Sequence, residues 1–158
     1  MAALAADLGV GRTTVDRSVL TGHASGFLNV DVDLQSATDL SPFIEALGKR
    51  IVCTHSGRSG RRYWVRFVLS RQPKSPNDAI RALARLVDSL PPGHRRHWSR
   101  ATHREFDIGV EGRGDQHTVE SVLDLETLKC VTRLGASLRL TAYPPSEDEG
   151  TNRKAAQQ

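Results

Sequence analysis

Period-two alternation is the feature that most limits what this chain can become. In "FLNVDVDLQ", Leu28, Val30, Val32 and Leu34 fall on one side of an extended backbone and Asn29, Asp31, Asp33 and Gln35 on the other. "YWVRFVLS" repeats the pattern, with Tyr63, Val65, Phe67 and Leu69 opposed to Trp64, Arg66, Val68 and Ser70. In "REFDIGVEG", Phe106, Ile108 and Val110 alternate with Glu105, Asp107 and Gly109. Strands that are apolar on one side need cover on that side only. The pattern therefore predicts an α+β domain: a mixed, mainly antiparallel sheet with helices on one face, ferredoxin-like or related.

The cover is legible too. "SPNDAIRALARLVDSLPP" reads as a helix: Ser75 caps it, Pro76 takes its first position and Asp78 sits in its first turn. Ile80, Leu83, Val87 and Leu90 form its apolar stripe. "TDLSPFIEALG" offers a shorter helix capped by Asp39 or Ser41, with Phe43, Ile44 and Leu47 inward and Gly48 at its end. "GHRRHWSRAT" suits a further short helix, and "DLETLKCVTRLG" another before a last strand, "SLRLTAY". Between "RIVCTH" and "YWVRFVLS", the glycines of "SGRSGRR" predict a hairpin loop. "EALGKRIVCTH" and "TRLGASLRLTAY" share a helix-glycine-strand junction, aligning Gly48 with Gly135 and Ile51 with Leu138.

A chain of 158 residues, 38% hydrophobic, is long enough for one domain with a core. Its expected limits are 27–145, with residues 1–26 a helical extension and linker and residues 146–158 a disordered polar tail. Asp, Arg or Glu interrupts every apolar run, so no membrane span is expected. Cys53 and Cys130 sit in apolar runs and no secretory leader opens the chain, which points to the cytoplasm. The net charge of +4 permits an anionic partner without requiring one.

His94, His97 and His103 cluster near Trp98, but no carboxylate or thiolate stands at a ligand spacing from them, so no metal and no cofactor are expected. Arg95, Arg96, Arg100 and Arg104 make that segment a better anion-binding patch. A second basic run spans Lys49, Arg50, Arg58, Arg61, Arg62, Arg66, Arg71 and Lys74. The polar side of the sheet is the strongest candidate site. Asn29, Asp31, Asp33, Trp64, Arg66, Glu105, Asp107, Arg139, Thr141 and Tyr143 all reach it if the strands share one sheet. Paired carboxylates there suit acid–base chemistry, and exposed aromatics suit stacking, whereas cross-strand charge pairing is the plainer reading. No nucleophile stands nearby, and no catalytic residue is assigned.

"MAALAADLGVGRTTVDRSVL" has the spacing of a helix-turn-helix, with Ala5 at the helix crossing, Gly9 in the turn and Val15 on the second helix. It resembles the motif of lac-repressor-type regulators, which implies that Arg12, Thr13, Thr14 and Arg17 would face DNA. Met1 falls where the first helix of that motif begins, leaving no flanking helix to complete its core, and Asp7 and Asp16 balance the arginines. From "REFDIGVEG" through "LDLETLKCVTRLGASLRLTAYPP", the chain also resembles a family of small bacterial α+β proteins grouped as a domain of unknown function, over residues 27–145. Some proteins of this size and shape neutralise bacterial toxins. The expectation is a non-enzymatic domain that binds a protein or small ligand through its open sheet face. A DNA-binding regulator is the alternative, and a hydrolase comes third.

Overall fold

The computed structural model describes residues 26–112 and 120–144. The segment expected to resemble a helix-turn-helix, with Arg12, Thr13, Thr14 and Arg17, and the polar tail lie outside them.

Five strands form one sheet: β1 (Phe27–Ser36), β2 (Ile51–Ser59), β3 (Arg62–Leu69), β4 (His103–Glu111) and β5 (Ser137–Tyr143). Their order is β2-β3-β1-β4-β5, antiparallel throughout except that β5 runs parallel to β4. Four helices pack against the sheet: α1 (Ser41–Leu47), α2 (Pro76–Asp88), α3 (Pro92–Arg100) and α4 (Leu125–Leu134). The fold is α+β, as the alternation requires. None of the described helices is long and apolar enough to cross a membrane.

The core follows the pattern that predicted it. Val30, Val32, Leu34, Val65, Phe67, Phe106 and Ile108 are buried against Phe43, Leu47, Ile80, Leu83 and Val87 from the helices. Phe67, Phe43, Trp98 and Phe106 form a chain of tilted rings, with successive centroids 6.3, 6.2 and 6.1 Å apart. These are normal aromatic packing distances. Trp98 anchors α3 beneath this chain, and its Nε1–H donates to the Leu134 carbonyl at 2.9 Å.

Local signals act as the residues dictate. Ser75 Oγ accepts the Asp78 N–H at 3.1 Å, and Asp124 Oδ1 accepts the Thr127 N–H at 2.8 Å, so α2 and α4 each begin on a side-chain cap. Backbone N–H donation by Thr127 holds the Asp124 carboxyl below its usual range. Gly135 closes α4 in the left-handed conformation at φ 60° and ψ 36°. Gly48 also has positive φ, but it leads through a 3-10 turn into antiparallel β2, whereas Gly135 leads to parallel β5.

Four expectations change. The hairpin loop shrinks to Gly60 and Arg61, because Ser59 already pairs with Arg62 and "SGRS" belongs to β2. Leu28 does not join the buried row: the register shifts between Phe27 and Asn29, turning Phe27 inward and Leu28 out. Neither Asp39 nor Ser41 caps α1; its first position follows Leu40, and Asp39 instead accepts the Ser41 N–H and Oγ–H at 2.9 Å each. Finally, β5 carries its apolar residues on the helix side, yet Leu140 is 66% exposed. The helices stop short of this edge.

The first strand enters and the last strand leaves at one end of β4. Glu111 N–H donates to the Gly26 carbonyl, and Gly112 N–H donates to the Tyr143 carbonyl at 2.8 Å.

Candidate functional site

The strand registers bring the polar residues of four strands together. Asp33 lies opposite Arg66 across β1 and β3, and Asp107 lies beside Arg139 across β4 and β5. Between β1 and β4, Asp31 faces Asp107 and Asp33 faces Glu105. Two like-charge pairs therefore stand side by side in the middle of the face. Direct opposition of like charges destabilises a sheet unless something offsets it.

Part of the offset comes from within the face. Arg66 grips Asp33 through two parallel bonds, Nε to Oδ1 and Nη2 to Oδ2, both 2.7 Å. That grip, reinforced by Asp31 and Asp107, holds the Arg66 guanidinium more firmly protonated than usual. Thr141 Oγ1–H donates to Asp107 Oδ1 at 2.7 Å. Ser137 Oγ–H donates to Glu105 Oε2 at 3.2 Å, and Arg139 Nη2 approaches Oε1 to 2.8 Å without an N–H aimed at it. Asp107 and Glu105 are only 5% and 7% exposed, so both carboxylates lie low in the face among Ser137, Arg139 and Thr141.

Asp31 has no such partner among the described residues, and its carboxyl titrates above its ordinary value of 3.8. Burial is the main cause; Arg66 opposes it, and Asp107 and Asp33 add to it. The folded chain thus holds this proton more tightly than the unfolded chain, and folding stability falls as pH rises from 3.8 through the raised value. Asp31→Asn is expected to raise the thermal midpoint at neutral pH, with the gain disappearing well below 3.8. A midpoint difference that ignores pH would contradict this origin.

Of the residues expected at the site, Asp31, Asp33, Arg66, Asp107 and Arg139 form one contiguous group. Trp64 and Tyr143 are exposed on the same face but stand at its margins. Trp64 pairs with Gln35 near one end of β1, and Tyr143 pairs with Glu111 at the other end of the sheet. Trp64 lies flat against Gly57, where a Cβ would meet its ring at 2.6 Å. His55 escaped the sequence reading: with β2 read as ending there, nothing showed that it faces Arg66.

The basic patches are in large part occupied internally. Arg104 donates through Nε to the Gly135 carbonyl at 2.9 Å. Through Nη1 it reaches the carbonyls of Trp98, Ser99 and Ala101 at 3.0–3.1 Å. Arg50 holds the carbonyls of Leu47 and Ala46 at 2.9 and 2.8 Å. Arg58 lies 5.2 Å from the centre of the Tyr63 ring, and Arg71 pairs with Asp78 at 3.0 Å. His94 Nδ1 contacts the Pro42 carbonyl at 3.1 Å, while His103 Nε2 is 3.9 Å from Glu105. Among the described residues no His, Cys, Asp and Glu side chains gather in a metal-binding group. Cys53 lines a groove of about 490 Å³ between α1 and the β2–β3 hairpin, beside Leu40, Ile44, Arg58 and Tyr63.

No family model, no curated protein and no solved structure matches this chain.

Proposed function

We propose that this chain is a non-catalytic binding domain whose open sheet face receives a cationic protein surface. The observation that carries the reading is the double like-charge opposition, Asp31 against Asp107 and Asp33 against Glu105. Four carboxylates share the centre of the face with the two guanidiniums of Arg66 and Arg139. An arrangement that costs stability in the free domain is relieved by a bound cation. Area favours a protein over a small ligand: from Asn29 to Gln35 the face runs about 20 Å, and from β3 to β5 about 14 Å. Exposed Trp64 and Tyr143 at its margins suit stacking on arginine or lysine.

The finer readings share this support. The order β2-β3-β1-β4 with antiparallel neighbours favours a ferredoxin-like arrangement extended by a parallel fifth strand. An acidic face of this kind suits a bacterial immunity protein that blocks a basic toxin, in line with the resemblance of residues 27–145. Nucleic acid is disfavoured there, because phosphate would meet carboxylate.

Titration with an oligo-arginine peptide tests the proposal. Binding is expected, weakening as salt is added. The double substitution Asp31→Asn with Glu105→Gln should weaken it roughly tenfold, about 1.4 kcal/mol, while circular dichroism stays unchanged. Binding to duplex DNA with no response to oligo-arginine would overturn it.

A further inference from the structure

Among the described residues the sheet has two edges, and they are finished differently. On β2 the register shifts between Cys53 and His55, and Arg58 follows; a bulge and a charge are common means of discouraging a further strand. On β5 the register with β4 is unbroken over all seven residues, and its helix side shows Leu138, Leu140 and Ala142. The apolar surface continues onto α4. Arg133, bridged to Asp88 at 2.7 Å, marks the flank of α4 that meets α2. Leu125 and Leu128 lie on the other flank at helical spacing, and Leu125 is 64% exposed.

We infer that β5 is a dimerisation strand, pairing antiparallel with β5 of a second copy of this chain about a two-fold axis at Leu140. The backbone and the charges make β5 complementary to a second copy of itself in this register. Tyr143 directs its carbonyl to Gly112 beyond the end of β4, so Tyr143, Thr141, Arg139 and Ser137 turn their backbone groups towards β4. Leu138, Leu140 and Ala142 therefore turn theirs outward. Centring the axis on Leu140 sets Leu140 against its copy and Leu138 against Ala142, so every outward N–H and C=O finds a partner. The same register places Arg139 opposite Thr141. Centring on Arg139 would oppose two guanidiniums, and centring on Thr141 would leave Leu138 unpaired. The four helices stay on one side, and the leucines of both α4 helices flank the seam. The open faces merge into one, with the two Arg139 side chains separating two acidic clusters.

Sedimentation of the full chain across a dilution series is the test. A concentration-dependent dimer is expected, and Leu140→Arg should reduce it to a monomer with unchanged circular dichroism, since this side chain is exposed and contributes little to the core. Amide exchange reads the register: in the dimer the N–H groups of Leu138, Leu140 and Ala142 are protected, and in Leu140→Arg they exchange freely while those of Arg139 and Thr141 remain protected. A monomer at every concentration would overturn the inference. So would a dimer indifferent to Leu140→Arg, or one in which those three amides stay unprotected. Oligo-arginine binding by Leu140→Arg separates this result from the fate of the sheet-face proposal.

Discussion

Trp98→Ala is expected to lower the stability of the domain by about 3–5 kcal/mol, the range for removing a large buried aromatic side chain. Marginal stabilities of roughly 5–15 kcal/mol make that a large share of the whole. The site explains the size. The indole sits between Phe43 and Phe106, and Phe43 in turn touches Phe67, so one truncation opens a gap where α1, α3, β3 and β4 meet. It also removes the donor to the Leu134 carbonyl at the end of α4. Trp98→Phe keeps most of the ring contacts and loses the donor, for a smaller cost of about 1–2 kcal/mol. Urea denaturation followed by circular dichroism measures both, and equal losses for the two variants would show that packing is not the main term.

Arg104→Met is expected to cost about 2 kcal/mol by the same measurement, although the position is no part of the apolar core. A guanidinium that donates to carbonyls at the ends of both α3 and α4 completes groups that no helix can satisfy for itself. Positive charge at two helix C-termini adds to the effect. Methionine retains the aliphatic packing and removes every donor. Arg104→Lys should recover little, because one ammonium cannot span both helix ends as a planar fork does. Full recovery by lysine would mean that charge, rather than the geometry of donation, matters at this position.

Arg104 also shows where sequence reasoning stops. Four arginines and three histidines in a short segment look like an anion site because a sequence displays donors, whereas main-chain carbonyls that accept from them become visible only once helix ends are placed. The fold was more legible. Alternation assigns each side chain to a side of the sheet, and Val30, Phe67 and Phe106 lie where the pattern puts them. What alternation omits is whether anything covers that side, and so Leu140 shares the helix side of the sheet with Ile108 yet remains in solvent. The boundaries of β2 were hidden for a related reason. An edge strand exposed along most of its length has the composition of a loop, and "SGRS" carries no period to separate the two. At the candidate site, each strand revealed which residues face outward. The opposition of Asp31 to Asp107 depends on register between segments more than 70 positions apart, and that is a property of pairing, not of either segment.

The corner where Gly26 and Tyr143 both bond to the end of β4 bears on how this unit is built into longer chains. Entry and exit stand two strand spacings apart, about 10 Å, a gap that three or four residues bridge. Such a module can be spliced into a surface loop of a host protein, or closed on itself and reopened elsewhere, without stretching its backbone. The segments before Gly26 and after Tyr143 both join the domain at that corner.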